Sequence, residues 1–273
     1  MVTQEVVPAS AGTSSCVSVQ TDFRGVATVT LNRPEVRNAW NPALIAELTA
    51  TFLRLAEDDS VRVAVITGSG TAFSAGGDLG WMRGLLEASE DDRRRDADKV
   101  AALLDALDLF PKPLVARVNG AAFGGGLGLV CTADVAIASE PARFGLTEVR
   151  VGIIPAVISP FVVRRLGLGT VRGHLLGGAA ISAETARAIG LVREVVPAAA
   201  LDEAVLAVVD EFLSSGPEAL RRTKALLREV SACGPEQAKA RAIEALMDVW
   251  RGDEARDGLT AFLEKRRAPW VQA

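Results

Sequence analysis

Short apolar runs rich in β-branched residues recur along the first half of the chain. Four of them lie next to Gly, Pro or Asn residues: 26–31 (VATVTL), 62–67 (RVAVIT), 113–118 (PLVARV) and 134–139 (DVAIAS). Runs of this length and composition, with turn residues beside them, are typical of buried strands. The pattern therefore predicts four strands in this part of the chain.

The segments between these runs carry helical signals. Asn41 is suited to cap a helix that has Pro42 at its first position. The apolar positions of that helix recur along one face at Leu44, Leu48, Phe52 and Leu55. A charged stretch over residues 87–98 leads into a second helix that ends near Phe110. Because strands that alternate with helices are joined by crossover connections, the pattern predicts a largely parallel sheet of the α/β class.

The hydrophobic pattern changes to helices alone from about Ser182 onward. The predicted helices cover residues 182–189, 201–214, 217–229, 235–250 and 254–265. Several have broad apolar faces, which must be buried against the sheet, against another subunit or against both. We therefore expect an oligomer. The predicted organisation is a flexible amino-terminal tail (residues 1–15), a core (residues 16–200) and a helical oligomerisation region (residues 201–273).

Composition and charge restrict the class of protein further. The 273 residues are 49% hydrophobic and 23% charged, with a net charge of −4, which favours a soluble α/β enzyme over a disordered or nucleic-acid-binding protein. Cys16, Cys131 and Cys233 share no metal-ligand or redox spacing. Neither a charge-free apolar stretch long enough to span a membrane nor a secretory signal is recognised. We expect a cytoplasmic protein with no nucleic-acid partner and no membrane association.

Several common active sites are missing from the sequence. The single histidine, His174, has no HxxxH or HExxH partner, which argues against a histidine-based metal site and against a Ser/His/Asp triad. No GxxxxGK motif is present, and neither residues 124–128 nor residues 68–70 complete GxGxxG. A P-loop and a dinucleotide site are therefore not predicted.

Two glycine-rich segments remain as candidates for a site. TAFSAGGDL (residues 71–79) and NGAAFGGGLG (residues 119–128) each follow a predicted strand, and α/β proteins bind ligands at the carboxyl ends of parallel strands. Glycine lets backbone N–H groups approach a ligand, and two such groups aimed at one oxygen form an oxyanion hole. The alternative interpretation is close packing of a helix on a strand, which also requires glycine.

Glu148 is the candidate acid/base. It lies in FGLTEVRVGIIP (residues 144–155), where most neighbouring residues are apolar. Partial burial among them would raise the pKa of its carboxyl group and let it accept and donate a proton near neutral pH. The alternative is an ion pair with Arg150 or another arginine at the surface.

Six segments together resemble the crotonase superfamily of enoyl-CoA hydratases and isomerases, from about Val17 to the end of the chain. In order they are LNRPEVRNA (31–39), AFSAGGDL (72–79), VNGAAFGGGLGL (118–129), FGLTEVRVGIIP (144–155), GLV with VVP (190–197) and AFLEKR (261–266). The resemblance implies a crotonase-like ββα superhelix of the α/β class with a carboxyl-terminal α-helical trimerisation layer. It also implies a homotrimer or a dimer of trimers, an acyl-CoA thioester as substrate, no metal, and no cofactor beyond the coenzyme A that the substrate carries.

The same resemblance assigns roles to particular residues. The amides of Gly77 and Gly125 would hold the thioester oxygen, and Glu148 would transfer the proton at the α-carbon. The positions that match the CoA-binding surface are Ala39, Trp40, Ala75, Asp78 and Leu79, mostly through their backbone, and Phe262 and Lys265, in some relatives from a neighbouring subunit. Trp81, Met82 and residues 157–161 are expected to shape the acyl pocket, and Ser159 is interpreted as a helix cap there rather than a polar contact.

The chain departs from the two-carboxylate hydratases at Gly128, where those relatives carry a second carboxylate that orients the attacking water. Three functions are therefore considered: a hydratase that works with Glu148 alone, a 3,2-enoyl-CoA isomerase in which Glu148 moves a proton between the α and γ carbons, and a noncatalytic acyl-CoA-binding scaffold. Residues 144–167 resemble the branch that hydrates branched, carboxylated substrates such as methylglutaconyl-CoA or isohexenylglutaconyl-CoA, which favours the hydratase.

Overall fold

The computed structural model describes residues 15–271, so the predicted tail lies outside it except for Ser15. Within that range, ten strands form two sheets. The large sheet contains, in spatial order, β1 Val17–Thr21, β2 Val26–Leu31, β3 Val63–Gly68, β5 Leu114–Val118, β7 Val135–Ser139 and β10 Glu194–Val196. The small sheet contains β4 Ala72–Ser74, β6 Ala121–Phe123, β8 Arg143–Gly145 and β9 Ile181–Ser182.

All seven helices predicted from the hydrophobic pattern are present in the described part of the chain, together with helices at Leu79–Glu87, Gly125–Thr132 and Leu168–His174 that the pattern did not predict. In chain order the helices are α1 Pro42–Glu57, α2 Leu79–Glu87, α3 Glu90–Asp108, α4 Gly125–Thr132, α5 Ser159–Leu166, α6 Leu168–His174, α7 Ala183–Ala188, α8 Leu201–Leu213, α9 Pro217–Ser231, α10 Pro235–Trp250 and α11 Asp253–Leu263. The Asn41 side chain accepts from the Leu44 N–H at 2.8 Å and caps α1, as predicted. None of the helices between residues 15 and 271 is long and apolar enough to cross a membrane.

The large sheet is parallel except at its edge, where β1 pairs antiparallel with β2. Side chains of β3 alternate between two apolar cores: Val63 and Val65 enter one, and Ala64 and Ile66 enter the other. A parallel sheet that is covered on both faces needs apolar residues at every position of its central strands. This explains why the strands were visible in the sequence as continuous apolar runs.

The carboxyl-terminal helices divide into two groups. Val205, Val208 and Val209 of α8 pack on the large sheet of their own chain. Helices α9 to α11 instead leave several large apolar side chains exposed: Leu227, Ile243, Leu246, Trp250, Leu259, Phe262 and Leu263. Only this second group needs a partner to cover it, and its role in oligomerisation stays a prediction.

A repeated strand, strand, helix unit joins the two sheets. In three successive pairs, β3 with β4, β5 with β6, and β7 with β8, the first strand enters the large sheet, the second enters the small sheet, and helical segments follow. Residues 72–74 and 121–123 lie in the two glycine-rich segments, where no strand was predicted. They form strands that pair with each other. Strands of this length are too short to show a hydrophobic period.

Candidate active site

The three predicted catalytic residues follow strands that end at the same edge of the small sheet. Its strands β4, β6 and β8 are parallel neighbours, so their carboxyl ends lie side by side. Gly77 follows β4, Gly125 follows β6 and Glu148 follows β8, each shortly after the strand ends. The carboxyl edge of a parallel sheet is where α/β proteins bind ligands. The convergence that was predicted from the large sheet is therefore produced by the small one.

Contacts at Gly124 show how closely these segments approach one another. A Cβ atom built on Gly124 would lie 2.8 Å from Glu148 Oε1 and 3.7 Å from the Cα atom of Gly76. Gly124 has a φ of +50°, a conformation that glycine adopts without the strain other residues incur. The turn before α4 thus lies against both the Glu148 carboxylate and the turn that carries Gly77.

The amide N–H groups of Gly77 and Gly125 have no hydrogen-bond acceptor among residues 15–271. Gly125 is the first residue of α4, where N–H groups lack intrahelical partners and the helix dipole is positive. On either side of Gly77, the Gly76 carbonyl and the Asp78 N–H are both bonded, whereas the Gly77 N–H is not. Both amides are therefore available to donate to the oxygen of a ligand.

Close packing explains another glycine of the same run. A Cβ atom on Gly126 would lie 2.7 Å from the carbonyl oxygen of Ser74, so glycine is what lets α4 start directly against β4. The two interpretations of the glycine run apply to adjacent residues: Gly126 permits packing, and Gly125 offers an unbonded amide.

Trp40 supports both glycine turns from inside the protein. Its side chain is only 2% exposed. Its N–H donates to the Gly76 carbonyl at 2.6 Å, and its carbonyl accepts from the Asp78 N–H at 2.8 Å. Three carbons of its indole ring lie 2.8–2.9 Å from a Cβ atom built on Gly125. Trp40 was expected to match the CoA-binding surface, mostly through its backbone. Its backbone N–H and carbonyl groups are instead used to hold the Gly77 turn.

Asp78 and Arg33 fasten the chain beside Gly77. Asp78 Oδ1 accepts from the N–H groups of Gly80 (2.8 Å) and Trp81 (3.2 Å) and caps α2. Arg33 donates to Asp78 Oδ2 at 3.0 Å and to the carbonyl of Ala39 at 2.6 Å. Burial alone would raise the pKa of Asp78, but these bonds outweigh it, so the pKa lies below its ordinary value. Arg33 lies in the LNRPEVRNA motif but was not among the predicted site residues, because no sequence signal identified its partners.

Glu148 is partly buried in a 3-10 turn, Thr147–Val151. Its Oε2 atom is buried and has no hydrogen-bond partner in the described part of the chain. Arg150 is exposed and forms no ion pair with it, so the alternative of a surface pair is wrong. Burial raises the pKa of Glu148, and a hydrogen bond from its own backbone N–H opposes the shift only in part. A carboxyl group with a raised pKa is suited to give and take protons near neutral pH.

Apolar side chains fill the space beside Gly128. A Cβ atom at this position would lie 2.9 Å from Ile158 Cγ2 and 3.3 Å from Leu104 Cδ2, and both side chains are buried. The position of the second carboxylate in two-carboxylate relatives is therefore closed by hydrocarbon. Next to Ile158, the Ser159 hydroxyl donates to the Pro155 carbonyl at 2.6 Å and does not cap α5, so the predicted cap is wrong.

Two further predicted site residues lie beside the glycine turns. The Ala75 N–H donates to the Arg37 carbonyl at 2.9 Å, and Leu79 is 83% exposed at the start of α2. The Met82 sulfur would lie 3.1 Å from a Cβ atom on Gly77, which places its side chain against that turn. This position agrees with a role of Met82 in the acyl pocket.

Phe262 and Lys265 are not joined to this cluster within one chain. They lie at the end of α11, which packs against α9 and α10, and Phe262 is 78% exposed. Their contact with CoA stays a prediction.

A cavity of about 530 Å³ lies at the opposite end of α4, bordered by α8 and α9. Four of its charged residues form two ion pairs: Lys224 Nζ lies 2.7 Å from Asp134 Oδ2, and Arg164 pairs with Asp108. The other two, Arg165 and Arg228, donate to backbone carbonyls. None of the predicted site residues lines it. The chemistry proposed for the chain therefore belongs to the edge of the small sheet and not to this cavity.

The chain is similar to known proteins over most of its length. The family model described as enoyl-CoA hydratase/isomerase matches residues 22–273. A 2,3-dehydroadipyl-CoA hydratase of Escherichia coli is 35% identical over 242 residues, 88% of this chain and 93% of the relative.

Solved structures are similar over nearly the whole chain. An enoyl-CoA hydratase of Mycobacterium smegmatis superposes with a TM-score of 0.90 at 35% identity, covering 95% of this chain and 100% of that one. Pseudomonas aeruginosa AtuE gives a TM-score of 0.90 at 36% identity, covering 94% and 100%. These likenesses confirm the predicted crotonase fold, and the chain belongs to the enoyl-CoA hydratase/isomerase family.

Proposed function

We propose that this chain is an enoyl-CoA hydratase that adds water across the 2,3 double bond of an enoyl-CoA thioester. The observation that carries the proposal is the meeting of two unbonded amides, those of Gly77 and Gly125, with the partly buried Glu148 carboxylate at one sheet edge. The Escherichia coli relative, named as a hydratase, supports water as the second substrate.

The three groups account for each step of the addition. The amides of Gly77 and Gly125 donate to the thioester oxygen and stabilise the charge that it gains in the enolate, where one such donor typically contributes about 2.7–4 kcal/mol. Ionised Glu148 takes a proton from water while the water oxygen bonds to C3 and the π electrons move to the thioester oxygen. Glu148 then returns that proton to C2, the carbonyl re-forms, and a 3-hydroxyacyl-CoA is released. One carboxylate suffices because the proton it accepts is the proton it donates.

A second candidate function is a 3,2-enoyl-CoA isomerase. The observation that favours it is the apolar wall of Ile158 and Leu104 beside Gly128, which offers no second group to hold a water molecule. In this reaction Glu148 removes a proton from C2 and returns it to C4, the double bond moves from C3–C4 to C2–C3, and no water is consumed.

Separate incubation with crotonyl-CoA and with 3-hexenoyl-CoA distinguishes the two reactions. A new hydroxyl group in the product from crotonyl-CoA supports the hydratase, and a moved double bond in the product from 3-hexenoyl-CoA supports the isomerase. Conversion of neither substrate nor of 3-methylglutaconyl-CoA, with no exchange of α-protons in deuterated water, contradicts both and favours the noncatalytic scaffold.

Glu148→Gln tests the role of the carboxylate. It removes the proton carrier at nearly constant volume, so we expect turnover to fall by about 10²–10⁴-fold and CoA-thioester affinity, measured by calorimetry, to remain. Glu140→Gln, at an exposed carboxylate nearby, is the matched control and should leave turnover unchanged. Wild-type turnover in Glu148→Gln would contradict the assigned role.

The remaining features of the proposal follow from the family resemblance. We propose branched, carboxylated enoyl-CoAs as the substrate class, because of residues 144–167, and this predicts a higher kcat/KM for 3-methylglutaconyl-CoA than for crotonyl-CoA. The reaction as written needs no metal and no organic cofactor, since coenzyme A is part of the substrate. We further propose a homotrimer or a dimer of trimers, with Phe262 and Lys265 completing the site of a neighbour, in the cytoplasm.

A further inference from the structure

We propose that Trp40 is a positioning residue that sets the two amides of the oxyanion hole relative to each other, an inference that rests on the proposed function. Its backbone holds the first amide. The Trp40 N–H bonds to the Gly76 carbonyl and the Trp40 carbonyl bonds to the Asp78 N–H, in a parallel bridge with Gly77. These two bonds fix the peptide groups on both sides of Gly77, and so they fix the direction of its N–H.

The side chain of Trp40 holds the second amide. The indole carbons nearest to Gly125 all belong to the six-membered ring, 2.8–2.9 Å from the position of a Cβ atom. The ring is planar, rigid and almost fully buried, so the first turn of α4 lies on a surface that does not yield. One residue therefore connects Gly77 and Gly125, and a change in its ring changes the separation of their amides.

The indole lies against Gly125 although its own N–H has no hydrogen-bond acceptor in the described residues. Trp40 Nε1 is buried without a hydrogen-bond partner in the described residues, which disfavours folding. Phenylalanine would avoid this unsatisfied group, but its single ring is smaller than the indole and would leave space beneath Gly125. A reason other than stability for keeping tryptophan is the contact that its six-membered ring makes with Gly125.

Steady-state kinetics of Trp40→Leu and Trp40→Phe test the proposal. Misplacing a reacting group by about 1 Å can cost about 10²-fold in rate, so we expect kcat of Trp40→Leu to fall by that order while KM changes little. Trp40→Phe should retain more of the wild-type kcat than Trp40→Leu. Phe52→Leu, at a fully buried ring packed on Phe110, is the control and should lower stability without lowering kcat of the folded protein. A wild-type kcat in folded Trp40→Leu would overturn the proposal.

A spectroscopic measurement separates failure of this proposal from failure of the proposed function. The near-ultraviolet absorption of 2,4-hexadienoyl-CoA moves to longer wavelength when hydrogen-bond donors polarise its carbonyl. We expect saturated wild-type protein to produce this shift and saturated Trp40→Leu to produce a smaller one. An equal shift in both overturns the role of Trp40 alone, whereas no shift in the wild type contradicts the oxyanion hole and with it both proposals.

A double-variant comparison tests the contact itself. In Gly125→Ala the added Cβ atom meets the rigid indole, so the Gly125 amide must move and kcat should fall. In Trp40→Leu the smaller, flexible side chain leaves room, so adding Gly125→Ala should cost a smaller factor in kcat than it costs in the wild type. Equal factors in the two backgrounds would show that the ring does not set the amide, and would overturn the proposal.

Discussion

Glu148 and Gly128 are the two positions on which the proposed chemistry depends. The sequence predicted the surroundings of Glu148 but not those of Gly128. Glu148 was selected because its apolar neighbours predict partial burial, and its carboxylate is partly buried. At Gly128 the sequence showed only that a side chain was missing. That Ile158 and Leu104 occupy the space depends on how α3 and the residues before α5 pack against α4, which no local pattern encodes.

The raised pKa of Glu148 predicts how stability depends on pH. Ionised Glu148 is disfavoured in the folded chain, so the wild type is penalised above the raised pKa and is not penalised below the unfolded value of about 4.3. Glu148→Gln should therefore unfold at higher urea concentration than the wild type at alkaline pH, and this advantage should disappear as the pH falls through the raised pKa to about 4. Glu140→Gln serves as the control. A variant less stable than the wild type at alkaline pH would contradict the prediction.

Gly128→Glu tests the apolar wall. The new side chain meets Ile158 within 2.9 Å of its Cβ atom, and overpacking of this kind typically costs about 1–3 kcal/mol, before the cost of burying a carboxylate. Adding Ile158→Ala makes room, although that change alone costs about 2–5 kcal/mol. The free energy of unfolding lost in the double variant, from urea titration, should be smaller than the sum of the single losses. Additive losses would show that the two positions do not share the space.

The elements that show a clear apolar run or apolar face were predicted, whereas α2 and the three-residue strands were not. α1 and α3 are long enough to show an apolar face and capping residues, whereas β4, β6 and β8 are not long enough to show any period. These three short strands nevertheless bring Gly77, Gly125 and Glu148 together. The family resemblance implied a ββα superhelix but did not place strands at these residues.

Asp78 caps α2 and forms an ion pair with Arg33. These two functions can be separated by substitution. Asp78→Asn keeps an oxygen that caps α2 but loses the charge that pairs with Arg33, and Asp78→Ala loses both. We expect Asp78→Ala to lower the free energy of unfolding by roughly 1 kcal/mol more than Asp78→Asn, as measured in urea.

Ser89→Ala is the control, because Ser89 caps α3 through the Asp92 N–H and has no ion pair to lose. It should cost about as much as the step from Asp78→Asn to Asp78→Ala. Equal stability of the two Asp78 variants would contradict capping by this side chain.

Within residues 15–271, both faces of the large sheet are covered, while one helical surface is left open. α8 seals the large sheet, while α9, α10 and α11 expose residues such as Leu246 and Trp250. Hydrophobic periodicity indicated that all these helices must bury a face, but it did not indicate against what. The division between α8 and α9 was therefore not predictable from the sequence pattern.

Leu246→Glu tests whether the open surface forms the expected interface. Leu246 is 52% exposed in a single chain, and a carboxylate there would lose hydration on assembly. We expect analytical ultracentrifugation to show a shift from the oligomer towards monomer. Leu53→Glu, at a leucine of α1 that is 56% exposed, is the matched control and should not change the assembly. If both variants shift the assembly towards monomer equally, or if neither shifts it, an interface at α10 is contradicted.

The hydrocarbon beside Gly128 also bears on how such catalysts diverge over generations. Acquiring a second acid takes at least two substitutions, and each alone is harmful: a carboxylate at 128 meets Ile158, and a truncated side chain at 158 leaves a void. A route from this chain to a two-acid form therefore passes through a destabilised intermediate, unless both changes occur together. Single substitutions therefore do not lead easily away from the arrangement with one acid.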